Sequence, residues 1–213
     1  MTIALLLVLA YLLGSIPTAV WVSRSLYGID IREHGSGNSG ATNTFRILGS
    51  KAGVGVMTVD MLKGFLAVKL SLFSPFPWDS VLITNLQIFL GLAAVLGHIF
   101  PIWADFRGGK GIATLFGMIL GIQPLVAVCL VGVFALMLFV TRYVSLSSIV
   151  ASIAFPLLIL VIFNEPELSY RLFAVATACL VLLTHHKNIN RLLQGSESKV
   201  KILRRRDRRR WGR

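Results

Sequence analysis

Three polar stretches interrupt an otherwise apolar chain: HGSGNSGATNTFR from His34 to Arg46, GHIFPIWADFRGGKG from Gly97 to Gly111, and THHKNINRLLQGSESK from Thr184 to Lys199. In the first, Gly35, Gly37 and Gly40 alternate with Ser36, Asn38, Ser39, Thr42 and Asn43. Such a run can turn backbone N–H groups into a concavity that holds an anion, and Arg46 can close on a phosphate with paired donors. A flexible linker is the alternative reading, although Gly/Ser linkers seldom carry two asparagines and an arginine. In the second stretch, Gly108, Gly109 and Gly111 surround Lys110 where a helix is expected to start, a setting suited to an anion. A turn punctuated by glycines reads equally well. It is not a Walker loop, because Ala104 stands where a glycine is required and Gly111 where a hydroxyl residue is required. In the third, His185, Asn188 and Arg191 recur every three residues and would share a helix face. A juxtamembrane amphipathic helix with Leu192 and Leu193 as its apolar contacts is the plainer account. A shorter stretch, TRYVSLSS, adds Arg142, Ser145, Ser147 and Ser148, and His98 precedes Lys110 as either a structural hydrogen-bonder or a catalyst.

The elements that must carry these residues follow from the apolar runs between them. The chain has 213 residues, is 55% hydrophobic, and contains only 9 acidic residues. Its mean hydropathy of +0.78 places it among membrane proteins. The net charge of +12 would suggest nucleic acid in a soluble protein. Here the cations gather between apolar runs and at the C-terminus, so orientation and anionic lipid explain them instead of nucleic acid. Helices are expected over residues 2–23, 53–73, 81–101, 112–123, 125–141, 146–163 and 168–184. The run from Ile112 to Thr141 is interrupted at Gln123-Pro124 and flanked on both sides by basic residues. Positive-inside parity therefore predicts that the chain enters and returns, with a short first pass; one tilted crossing is the competing reading. The expectation is an all-α polytopic membrane protein of about seven transmembrane helices, the fourth short. The N-terminus is expected in the periplasm and the C-terminus in the cytoplasm. All the polar stretches then share the cytoplasmic face. Residues 1–199 form one domain, followed by a basic cytoplasmic tail over 200–213. The first run is too long for a signal-peptide core and is read as a retained span.

Two further features bear on class. Asp60 and Lys63 lie one turn apart within the second expected span, where ions are costly; they pair, or they serve function. Cys129 and Cys179 fall inside apolar runs and read as buried small hydrophobes, and no cluster has metal-ligand spacing. A transporter of phosphate or a small organophosphate would also use glycines, cations and spans. It would place its binding groups near the midplane on broken helices, whereas these gather on one face.

The segments GSGNSGATN, GHIFPIWADFRGGKG and HHKNINRL resemble, in order and spacing, the three signature segments of the bacterial acyl-phosphate-dependent glycerol-3-phosphate acyltransferases of the PlsY type. The resemblance runs to about Lys199. It implies a seven-span inner-membrane enzyme that moves a fatty acyl group from acyl phosphate to the 1-hydroxyl of glycerol 3-phosphate. The products are lysophosphatidic acid and phosphate, in the first acylation of phospholipid synthesis. It also implies a peripheral partner enzyme that makes the acyl phosphate, and no metal or other cofactor. By position, Ser36, Gly37 and Asn38 would hold the donor phosphate with Asn43 nearby. Arg46, Arg107, Ser145, His185 and Asn188 would hold glycerol 3-phosphate. Lys110 would serve either phosphate, and His98 would shape the reacting centre, so that His98, His185 and Lys110 are the catalytic candidates. Family members usually carry lysine at Arg107 and often arginine at Thr184. No histidine-carboxylate pair is evident in the sequence, so a donor phosphate oxygen is expected to take the acceptor's proton.

Overall fold

The computed structural model describes residues 2–78 and 80–200. The expected basic tail therefore lies, but for its first residue, outside the described residues. The described chain is helical, with no strand among its elements. The first apolar run forms two helices, α1 (Ile3–Gly14) and α2 (Thr18–Tyr27), instead of one. Pro17 cannot donate a backbone hydrogen bond and separates them. A short amphipathic helix, α3 (Ala41–Leu48), leads into α4 (Ser50–Lys69). Next come α5 (Val81–Ile99), started by the Ser80 hydroxyl accepting from the Ile83 N–H, and α6 (Ile112–Ile122). Gln123 then leaves helical geometry, and α7 (Pro124–Thr141) begins with proline at its first position, where no N–H is needed. α8 (Val144–Leu157) contains Pro156 and loosens into a π-helical turn over Leu158–Ile162. α9 (Leu168–Thr184) and α10 (His186–Leu193) meet at a 62° bend.

Packing relies on small residues, as it must where lipid removes the hydrophobic drive between helices. α1 lies along α5 and α6 along α4. A Cβ on Gly14 would sit 2.0 Å from the Ala94 carbonyl, one on Gly64 2.0 Å from the Thr114 carbonyl, and one on Gly117 1.9 Å from the Met61 carbonyl. α7 and α9 pack on α8, where Phe155 meets Tyr170 and Phe173 edge-on at 6.0 and 5.6 Å between ring centres. The outer face of α7 exposes Leu136, Phe139 and Val140, as a lipid-facing helix does. Cys179 is exposed on α9 and Cys129 half-buried, which corrects the reading of both as buried.

Four helical stretches are long and apolar enough to cross a membrane, or five if the bent pair α9–α10 counts as one span. Each of the seven stretches expected to be helical contains helix, the first as two helices. α4 carries Asp60, Lys63 and Lys69, and α6, at 11 residues, is about 17 Å long against a hydrocarbon core of about 30 Å. Length and composition alone therefore do not qualify those two.

Candidate active site

The glycine-rich segment between α2 and α3 is a shaped loop. Asp30 accepts hydrogen bonds from the backbone and guanidinium of Arg32 and from Arg24. The Arg32 pairing, aided by Arg24 against the opposing cost of burial, holds the Asp30 carboxyl well below the usual carboxylate range. Asn43, at the start of α3, accepts from the Ser36 N–H at 3.0 Å and donates to the carbonyls of Ile31 and His34 at 3.1 and 2.9 Å. Its amide is thereby spent inside the loop, so Asn43 shapes the cradle instead of facing a ligand. Gly35 and Gly37 take positive φ of 62° and 71°, a region costly for other residues. Ser36 and Gly37 are exposed at the rim, Asn38 is half-buried, and Ser39 is buried beneath them.

A second loop, between α5 and α6, abuts the first. Arg32 donates to the Ala104 carbonyl at 3.0 Å and approaches Asp105 at 3.7 Å, while the Ser39 hydroxyl donates to the Arg107 carbonyl at 3.5 Å. Asp105 and Phe106, neither of them glycine, hold φ of 55° and 56° in succession, a strain of about 1–3 kcal/mol each that the surrounding structure must sustain. The loop then doubles back: the Gly108 and Gly109 N–H groups donate to the Ile99 and His98 carbonyls, both at 3.1 Å. Neither glycine has room for a side chain, since a Cβ on Gly108 would lie 2.0 Å from the His98 carbonyl and one on Gly109 2.2 Å from His98 Nε2. His98 is thus a buried shelf under the loop. Its Nδ1 lies 3.8 Å from Asp60, whose carboxylate is also paired with Lys63 at 2.7 Å. This approach of His98 to Asp60, too long for a hydrogen bond, was not evident from the sequence spacing.

Lys110 emerges from this loop and donates to Asn188 Oδ1. Asn188, on α10, donates in turn to Glu197 at 2.7 Å. The same carboxylate accepts from the Ser145 hydroxyl and from Arg191 Nε, each at 2.7 Å. Ser145, at the start of α8, and Asn188 are buried, as is His185 at the α9–α10 bend. His185 directs Nδ1 at the Val181 carbonyl, 2.8 Å away; a carbonyl only accepts, so Nδ1 carries the proton and Nε2 is left as an acceptor. Burial pushes the Lys110 ammonium down to about 8; Glu197 opposes this, and Arg191 and Arg46 reinforce it. For Glu197, burial would raise the carboxyl, but hydrogen bonds from Arg191, Asn188 and Ser145 outweigh it and the net direction is down. Arg46 and Arg107 are exposed at the rim and make no side-chain hydrogen bond among the described residues.

Every predicted site residue thus lies at one end of the bundle. Arg32 ties the first two loops, Lys110 ties the second to α10, and Glu197 ties α10 to the start of α8. Because Lys110 before α6 and Ser145 after α7 converge on this cluster, α6 leads away from it and α7 leads back. Glu197, Arg32 and Asp60 were not among the expected site residues. A lone acid in a basic segment, six residues after Arg191, was the one signal available for Glu197. Among the described residues, no group of histidine, cysteine and acid side chains could hold a metal ion.

Residues 4–195 match the family model described as glycerol-3-phosphate acyltransferase. A relative of that name from Chlorobium phaeobacteroides is 40% identical over 95% of this chain and 98% of its own length. Another, from Geobacillus kaustophilus, is 45% identical over 93% of this chain and 96% of its own. Among solved structures, PlsY, an integral membrane glycerol 3-phosphate acyltransferase, is 40% identical in its glycerol 3-phosphate form, with a TM-score of 0.83 over 93% of this chain and 95% of that one. Its lysophosphatidic acid form gives a TM-score of 0.80 over 92% and 94%.

Proposed function

Because this chain belongs to the glycerol-3-phosphate acyltransferase family, we propose that its clustered loops transfer a fatty acyl group from acyl phosphate to the 1-hydroxyl of glycerol 3-phosphate. The observation that carries the assignment of residues is the convergence of Lys110, Asn188, Ser145 and Arg191 around one carboxylate, beside a glycine-rich cradle. Two anion-holding features side by side suit a reaction whose donor and acceptor each carry a phosphate.

The cradle of Ser36, Gly37 and Asn38 takes the donor phosphate, with Asn43 fixing its shape. Arg46, Arg107 and Lys110 offset the charge of the acceptor phosphate; Lys110 keeps two N–H donors beyond the one given to Asn188. Ser145 has its one proton committed to Glu197, so it offers lone pairs to a glycerol hydroxyl. Asn188 retains one amide proton, and His185 Nε2 faces the acceptor side. In the transfer, the acceptor oxygen forms the ester bond as the bond from acyl carbon to phosphate oxygen breaks. Phosphate leaves with the electron pair, and the cations and oriented N–H groups stabilise the charge it gains. A donor phosphate oxygen receives the acceptor's proton. The donor is already activated, so holding the two substrates in register supplies much of the rate.

The reading extends to placement. Seven crossings, with α6 short, put the loop cluster in the cytoplasm of a bacterial inner membrane, the N-terminus in the periplasm and the C-terminus in the cytoplasm. A peripheral enzyme that produces acyl phosphate supplies the donor at that face. The test is to give the purified protein acyl phosphate with and without glycerol 3-phosphate. Acceptor-dependent phosphate release with equimolar lysophosphatidic acid is expected; release without acylated product would refute the assignment. Alanine at His98 or His185 that abolished the chemical step while both substrates still bound would overturn the route given for the proton.

A further inference from the structure

Beneath the second loop lies a buried polar cluster that the reaction as described does not use. Asp60 is 1% exposed, Lys63 4%, His98 7% and Thr18 8%. Asp60 Oδ1 gathers three neighbours: Lys63 Nζ at 2.7 Å, the Thr18 hydroxyl at 3.1 Å and His98 Nδ1 at 3.8 Å. Lys63 also donates to the carbonyl of Ile16, just before the proline break between α1 and α2. Replacing a buried ion pair by apolar residues of similar size is often neutral or stabilising, so stability alone gives no reason to keep one here. Its position does. The pair lies beside His98, on whose opposite ring nitrogen Gly109 rests and whose carbonyl holds the Gly109 N–H.

Resting on the acyltransferase reading, we infer that Asp60, braced by Lys63 and Thr18, is a positioning residue for the acceptor site, fixing His98 and through it the loop that carries Lys110. At 3.8 Å the contact with Nδ1 is too long for a hydrogen bond. The carboxylate still favours the ring edge that carries a proton, which turns Nδ1–H toward Asp60 and leaves Nε2 as an acceptor under Gly109. A ring free to flip would present either nitrogen to the loop and let Lys110 wander. Misplacing such a group costs activity steeply.

The tautomer is read from nitrogen-15 spectra of histidine-labelled protein in lipid nanodiscs; the chain has only 4 histidines, and His98→Gln assigns the signal. The wild type should show the proton on Nδ1. The double variant Asp60→Asn with Lys63→Met removes both charges at once. It should shift that signal and raise the KM for glycerol 3-phosphate about tenfold, with kcat little changed. Thr18→Val should move both in the same direction by less. A wild-type proton on Nε2, or a folded double variant with unchanged tautomer and KM, would overturn the inference. If the double variant fails to fold, the wild-type spectrum and Thr18→Val decide it. Absence of glycerol 3-phosphate-dependent transfer in the wild type would instead refute the functional reading, and the tautomer would remain measurable.

Discussion

At the scale of single residues, Lys110 sets the pH behaviour. Burial holds its ammonium near 8 against an ordinary value of 10.5, so in the empty site it is charged below about 8 and neutral above. A bound phosphate dianion favours the charged form. Glycerol 3-phosphate binding at pH 9 should therefore take up about one proton, and less as the pH falls below 8. Calorimetry in buffers of different ionisation enthalpy measures this, and Lys110→Arg, whose side chain does not titrate, should abolish it. The same lowering means that the unfolded chain binds this proton more tightly, so its contribution to folding stability rises with pH between about 8 and 10.5. Lys110 was legible in the sequence because glycines framed it. Glu197 was not: GSESK looks like polar chain after a helix, and only the turn at Gly195, with φ of 67°, swings the carboxylate back to α8 and α10. Asn43 was legible as polar and close to the cradle. Whether its amide faced a ligand or its own loop depended on backbone geometry that composition does not encode.

At the scale of elements, the second loop is held by contacts that admit no side chain. Gly109→Ala puts a methyl group against the His98 ring and Gly108→Ala puts one against a backbone carbonyl. Gly108→Ala should be the worse, because a carbonyl within a helix cannot rotate away as a ring can. Both variants should raise the KM for glycerol 3-phosphate, by about tenfold or more, as steady-state kinetics in detergent would show. The helices themselves were readable from apolar runs, since lipid forces each run to satisfy its own backbone hydrogen bonds. The break at Ser15–Pro17 escaped because no charged residue marks it, the first being Arg24. α3 escaped because its polar residues are fixed by neighbouring loops, and the loosened turn after Pro156 because proline only permits it.

At the scale of the molecule, the bundle has a polar end and a plain one. The turns between α4 and α5 and between α8 and α9 lie away from the cluster and carry no Lys or Arg; the nearest cations are Lys69 at the end of α4 and Arg171 in the first turn of α9. A reporter inserted between residues 74 and 78 should read as periplasmic and one fused at the C-terminus as cytoplasmic; the reverse pattern would refute the assigned orientation. Charge parity implied a return through α6 and α7 because basic residues stand at both ends of that run, and hydrogen bonds from Lys110 through Asn188 and Glu197 to Ser145 draw those two ends together. The placement of Glu197 carries a practical consequence. The matched family region ends at residue 195, a natural point at which to cut the gene or attach a tag. A protein ended there would keep every helix among the described residues and lose the acid that joins α8 to α10. It should insert in the membrane, pass for intact by its helical content, and fail as an enzyme.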